Sequence, residues 1–365
     1  DALNYLVKAR PEAMGGYFKF LKLAGTHLDL QKRNRISARA QAARQFVAAV
    51  ATCACVVIGG VAPAAHADGT TSPAPLLAGV TPYQPQSGTR SALAQQYFAQ
   101  GMTLAWGFNP AEAARSFAAA TRADPRCAAC WWALAWAQGP TINADMDAAA
   151  ARDVAAALAQ ARRHAASAPA RYRGLIQALS SRHPGADMPV DEEAYAAQMR
   201  LLARQFPRDA EIATLAAEAE LNLHPYDWWE HDGRPKPWTP NATDLLARAL
   251  ALAPAHPGAN HYWIHVQEGS LQPERALPSA QRLATLAPGS GHLLHMPAHV
   301  YMRTGRYADA SRANEASIAA DRAYLAQVDA QRAYRVGYVA HNHHFLYASA
   351  AMEGRSAAAI AAARS

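Results

Sequence analysis

Excess charge, cysteine and β-forming side chains are all scarce in the body of this chain, and each shortage removes a class of function. The sequence carries 35 Lys and Arg against 28 Asp and Glu, a formal net charge of +7. Nine of those bases and only three of those acids fall in residues 1–67, so the remaining 298 residues hold 26 basic and 25 acidic groups. A near-neutral body has no basic footprint for phosphates, which excludes nucleic acid as a partner. Past residue 67 the only cysteines are Cys127 and Cys130, and Trp131 stands where haem attachment needs histidine. β-branched and aromatic residues are sparse and scattered among alanines, which excludes a large sheet and favours helices.

The basic surplus belongs to a leader. "QKRNRISARAQAARQ" is basic, "FVAAVATCACVVIGGV" is apolar, and Ala65 and Ala67 flank His66 ahead of Asp68. This is the three-part pattern of a secretory signal at 32–67, cleaved after Ala67. The apolar run falls short of the ~20 residues of a spanning helix. It contains Cys53 and Cys55 in its middle, against a lipoprotein, and the leader lacks an Arg-Arg pair. The expected product is periplasmic or secreted and touches a membrane only through its signal. Residues 1–31 fit no part of such a leader and read as an upstream segment joined at a gene boundary. Residues 68–90, rich in Gly, Pro, Ser and Thr, read as a linker.

From Ser91 onward a pattern recurs. Tyr97, Gly101, Leu104, Ala113, Phe117, Ala120 and Pro125 alternate small and large residues along two helices, with proline closing the second. The spacing returns with Trp131, Leu134 and Ala135, then with Ala242, Leu246, Ala249 and Pro254. Units 257–290 and 291–324 follow without a gap, and a last unit opens at Ala340. The chain over 91–365 resembles the tetratricopeptide repeat family, whose helix–turn–helix unit is about 34 residues long. The resemblance is specific in three or four units and weak over roughly 148–240. It implies an all-α, right-handed superhelical solenoid, truncated at the C-terminus, whose first helices line a concave groove that takes peptides or proteins.

In each unit the second, fifth, ninth and twelfth residues share a stripe opposite the packing face, and in this family that stripe faces the groove. In 257–290 it carries His261, His265 and Glu268; in 291–324 it carries His292, His295, His299 and Met302; in the last unit it carries His341 and His344. Seven of the thirteen histidines beyond residue 67 thus fall on one stripe, against a chance of about one in eight for each.

Three readings fit. The histidines line a polar groove for a peptide; or they bind a transition metal, copper, zinc or iron; or they catalyse without metal. His261/His265 and His295/His299 are i, i+4 pairs, which chelate one ion well, and Met302 would suit copper. Neither pair is H-E-x-x-H, so a zincin glutamate is missing. Pro297 sits inside the same helix, where it kinks the backbone and frees a carbonyl.

Other residues join the ligand-binding set. The insertion "HPYDWWEHDGRPKPW" reads as a flap that can bring His224 or Asp227 to a ligand, or as an aromatic plug. Trp132 and Trp136 give the stripe an aromatic end. His343 lies on the packing face. Cys127 and Cys130 at a helix start read as a disulfide or two buried thiols ahead of a redox pair. Two functions follow: an exported binding protein whose groove holds a metal, a peptide or a partner protein, or a metal-dependent enzyme, oxidative or hydrolytic, acting on a small molecule near a multi-histidine centre.

Overall fold

The computed structural model describes residues 74–80, 83–146, 148–328 and 332–365, so the expected leader and the segment 1–31 lie outside the described residues. Among the described residues the regular structure is helical, with two isolated β-bridges and no strand. α1 (Ala92–Trp106) starts behind Ser91, whose hydroxyl accepts from the Ala94 N–H, and α2 (Pro110–Ala123) starts behind Asn109 with proline in its first turn. Both are favoured N-terminal caps. The two helices touch because residue 101 is glycine: a Cβ there would fall 2.5 Å from the Phe117 ring.

α3 (Ala128–Ala137), α4 (Ala148–His164), α5 (Ala170–Arg182), α6 (Glu192–Gln205), α7 (Ala210–Leu223) and α8 (Thr239–Leu252) continue the chain. Then come α9 (Pro257–Glu268), α10 (Leu277–Leu286), α11 (Gly291–His295), α12 (Pro297–Arg303) and α13 (Tyr307–Leu325). A turn at Arg332–Tyr334 and a π-helical stretch at Arg335–Val339 lead into α14 (Ala340–Met352) and α15 (Ser356–Ala363). Helix starts at Pro257, Gly291 and Ala340 coincide with the unit starts read from the sequence. Consecutive helices pack on each other, and the first members of successive pairs also meet: α1 with α3, α3 with α5, α7 with α9, α9 with α12.

One contact breaks this order. α1 also packs on α9, far along the chain. Trp106 makes it, with ring centroids 4.9 Å from Trp136, 5.8 Å from His256 and 6.0 Å from Tyr262. Its indole N–H donates to the buried Glu211 at 3.1 Å. Gly258 admits the ring, since a Cβ there would lie 2.4 Å from it. Trp132 and Trp136, the aromatic end of the expected groove, are buried and stacked with centroids 5.8 Å apart.

The described part of the stretch read as a linker is tied down along its length. Leu77 N–H donates to Gln100 at 2.7 Å, Tyr172 donates to the Gln86 carbonyl at 2.9 Å, and Gly289 N–H donates to the Gly79 carbonyl at 3.0 Å. Tyr83 donates to Glu211. The insertion before α8 leans on α9 through Trp229, whose N–H donates to the Val266 carbonyl at 2.7 Å. No helix among the described residues is long and apolar enough to cross a membrane.

Candidate metal centre

Six histidines converge where α9, α11, α12 and α14 meet. They fall into two groups of three, His261 with His265 and His292, and His295 with His299 and His341, each able to hold one ion. In the first, His261 Nε2 lies 3.0 Å from His265 Nε2 and 3.2 Å from His292 Nε2. In the second, His295 Nε2 lies 2.8 Å from His299 Nε2. Nitrogens bound at about 2.0–2.1 Å to a single cation stand roughly 3 Å from one another. These three nitrogen pairs have the spacing of ligands around a metal, and within each trio the ligand atoms all lie within 4.8 Å of one another.

Tautomers can be assigned from the outer nitrogens. His261 Nδ1 lies 2.5 Å from the Trp106 carbonyl oxygen, which can only accept, so that nitrogen carries the proton. His299 Nδ1 faces both oxygens of Glu268 at 2.9 and 3.0 Å and donates likewise. His295 Nδ1 lies 2.7 Å from Asn314 Oδ1, and the amide's orientation is fixed because Asn314 Nδ2 donates to the Ala310 carbonyl. In its neutral form each of these three histidines therefore turns its Nε2 lone pair inward. At His295 and His299 two such lone pairs face each other, an arrangement that repels unless a cation lies between them.

Protonation is disfavoured at five of the six histidines. Burial, reinforced by neighbouring imidazoles, lowers the pKa of His265, His292 and His295 well below the usual value, and burial holds His261 and His341 to about 3. Five of the six histidines are at most 8% exposed; His341 is half-buried. Burial thus favours the neutral imidazole at those five, and three of the six rings have an anchored outer nitrogen, which is how proteins prepare histidine for a metal.

The two trios adjoin. His265 and His299 have ring centroids 6.0 Å apart, and His292 and His295 5.7 Å apart. Each trio packs on its own phenylalanine. Phe108 lies 4.3, 5.5 and 5.4 Å from His261, His265 and His292. Phe345 lies 4.8, 4.4 and 4.9 Å from His295, His299 and His341. Apolar walls raise the strength of any charge interaction inside.

Pro297 divides the histidine helix without displacing its ligands. α11 ends at His295 and α12 starts at Pro297, yet Met296 between them keeps helical angles, φ −52° and ψ −35°. His295 and His299 stay one turn apart on one face. His292, three residues earlier, is turned about 60° away and joins the α9 pair instead.

The remaining sequence-derived candidates lie outside the trios. Glu268 orients His299. Met302 is half-buried against the core, and His344 stacks on Tyr347 with centroids 6.3 Å apart. His224 stacks on Trp238 at 4.0 Å, and Asp227 pairs with Lys236 at 3.2 Å. His343 is half-buried. From the insertion it is Tyr226 that reaches the centre, with its ring 6.1 Å from His265. Cys127 and Cys130 are joined in a disulfide at the start of α3.

Sequence reasoning missed Trp106 and Phe108, Asn314, Tyr338 and Phe345. Of these, Phe108 carried the plainest local signal, a bulky residue between Gly107 and an Asn-Pro helix start, where it adopts φ +52°. No protein-family model matches the chain, and comparison with curated proteins finds no relative.

Proposed function

We propose that this is an exported, tetratricopeptide-repeat-like solenoid enzyme that holds two copper ions in adjacent three-histidine sites and uses dioxygen to oxidise a small molecule. The observation that supports it is the pair of inward lone pairs on His295 and His299, 2.8 Å apart with both outer nitrogens anchored. Two trios side by side favour a dinuclear centre over a lone ion.

Charge favours copper among the metals that imidazole suits. All six donors are neutral, and one carboxylate, Glu268, stands on an outer nitrogen. Two divalent ions would bury four positive charges against that single anion, which costs several kcal/mol per uncompensated charge. Two cuprous ions halve the charge and accept three nitrogen ligands. Bound copper would supply one-electron steps and a place for dioxygen. The chain's residues do the rest: the Trp106 carbonyl, Asn314 and Glu268 fix the rings, Phe108 and Phe345 exclude water, and burial disfavours protonation at five of the six imidazoles. A small-molecule substrate is favoured over a peptide because the ligand nitrogens are buried. The Cys127–Cys130 disulfide supports export.

The test is elemental mass spectrometry on protein purified without a histidine tag or chelator, before and after loading with cuprous ion. The expected result is about two copper ions per chain, near one in His261→Ala and in His295→Ala, and none in the double variant. A wild-type protein that takes up no metal, or a double variant with unchanged content, overturns the reading. Zinc in place of copper would redirect it to hydrolysis.

A further inference from the structure

A line of tyrosines leads away from the histidine centre. Tyr338 stands edge-on to His292 with ring centroids 4.8 Å apart. Tyr334 follows at 5.5 Å from Tyr338, and Tyr324 at 5.3 Å from Tyr334. Tyr324 lies on a surface cleft of about 270 Å³ that Leu77, Pro288 and Gln327 also line. Three phenols thus bridge the centre and the surface in ring-to-ring steps.

The middle one has a proton acceptor. Tyr334 donates to Asp321 Oδ1 at 2.8 Å, and Asp321 Oδ2 accepts from Asn342 Nδ2 at 2.7 Å. Asp321 is 1% exposed, and burial pushes its pKa up to about 6, so it can keep a proton handed to it. A phenol loses an electron far more readily when its proton has somewhere to go, and among the three only Tyr334 is shown donating to a carboxylate. Asp321 also has a structural side: a Cβ on Gly291 would lie 1.9 Å from its Oδ1, so the carboxylate fills the space at the start of α11.

We propose that Tyr334 is a redox-active tyrosine, wired to the metal centre through Tyr338 and to a surface electron donor through Tyr324. It rests on the copper and dioxygen reading above. Dioxygen is the oxidant, and four electrons with four protons from solvent take it to two molecules of water, breaking the O–O bond. Two electrons would come from bound cuprous copper and, with no substrate present, the other two would come one at a time from Tyr334 through Tyr338, each time while the phenolic proton passes to Asp321 Oδ1. The pair goes from phenol and carboxylate to neutral tyrosyl radical and carboxylic acid, one electron poorer. A one-electron reductant of the enediol class in the cleft restores the phenol through Tyr324, and Asp321 returns the proton. The line drains an oxidising equivalent that would otherwise attack the ligand histidines.

Copper-loaded protein, reduced without air, is pulsed with dioxygen in the absence of organic substrate and freeze-quenched for electron paramagnetic resonance. The expected result is an organic radical whose hyperfine structure collapses when the protein is grown on ring-deuterated tyrosine. The signal is lost in Tyr334→Phe, although that variant keeps its copper and still consumes dioxygen, and ascorbate discharges it in the wild type. Should Tyr334→Phe fail to hold copper, the wild type in deuterium oxide decides, because coupled proton transfer must slow radical formation there. Dioxygen consumption with no radical, a radical unchanged in Tyr334→Phe, or a formation rate indifferent to deuterium oxide each overturns the relay. Copper content and dioxygen uptake are read first; their failure is the failure of the copper reading, and the relay falls with it.

Discussion

At the scale of single residues the centre is a problem of proton placement. An imidazole binds metal through one nitrogen only when the other is given a reason to keep its proton, and here three unrelated groups give it: a main-chain carbonyl, an amide and a carboxylate. Glu268 is the easiest to remove without touching a ligand. Glu268→Ala is expected to weaken metal binding at the His295–His299–His341 trio by about 10–100-fold, as loss of such outer partners generally does, while the other trio keeps its affinity. Glu268→Gln, which retains an acceptor oxygen, should lose less. Competition with a chromophoric copper chelator measures both, and equal losses at the two trios would contradict the assignment. The i, i+4 histidine pairs were legible in the sequence because one helix holds both partners. Their anchors were not: the Trp106 carbonyl lies 155 residues from His261, and Asn314 lies on α13, 19 residues from His295, contacts that no local period encodes.

At the scale of helices, Pro297 and Glu218 show opposite trades between stability and geometry. Proline inside a helix costs about 3 kcal/mol relative to alanine, and Pro297 sits where α11 hands over to α12. Pro297→Ala is expected to raise the melting temperature of the metal-free protein and to lower metal affinity, because the alanine N–H can continue the helix hydrogen bonding across the break and shift the His299 turn relative to the His292 turn. A variant both more stable and equally tight would remove the proline's functional role. Glu218, buried on α7 and bonded to Asn222 at 2.7 Å, has its pKa raised to about 7, chiefly by burial. A folded-state value above the unfolded one means that its contribution is full below about pH 4.5 and is lost as pH rises through about 7. Glu218→Gln should therefore gain stability relative to wild type on going from pH 5 to pH 8, by roughly 1.4 kcal/mol for each tenfold difference in proton affinity between the folded and unfolded carboxyl. Urea titrations at the two pH values read it, and a pH-independent difference would show that the carboxyl stays ionised in the fold. This helix falls within 148–240, where the repeat pattern is weak, and its charge state needs the buried neighbours of α5, α6 and α3, which only the fold brings together.

At the scale of the molecule the helix pairs behave as a chain with two extra closures. One is permanent: α1 packs on α9 through Trp106, and the stretch before α1 is hydrogen-bonded to Gln100, Tyr172 and Gly289. That closure could not be read from the repeat, whose period sets where helices start but not how far the array curls. On the copper reading the other closure is strengthened by metal. α14 carries one ligand, His341, and the wall residue Phe345 into the centre, and its other polar ties to the body include Asn342 on Asp321 and Ser349 on Ser311 at 2.9 Å. A ligand that binds only the folded chain adds about 2.7 kcal/mol of stability at one hundred times its dissociation constant, and most of that gain should fall on the piece it ties down. Limited proteolysis of chelator-treated protein is thus expected to cut first between α13 and α14, within 326–339, and copper should suppress that cut while leaving cleavage elsewhere unchanged. Mass spectrometry of the fragments locates the site. His341→Ala should be cut there at the same rate with or without copper, and a wild type whose cleavage ignores copper would mean that α14 is held by packing alone and that His341 contributes nothing to the centre.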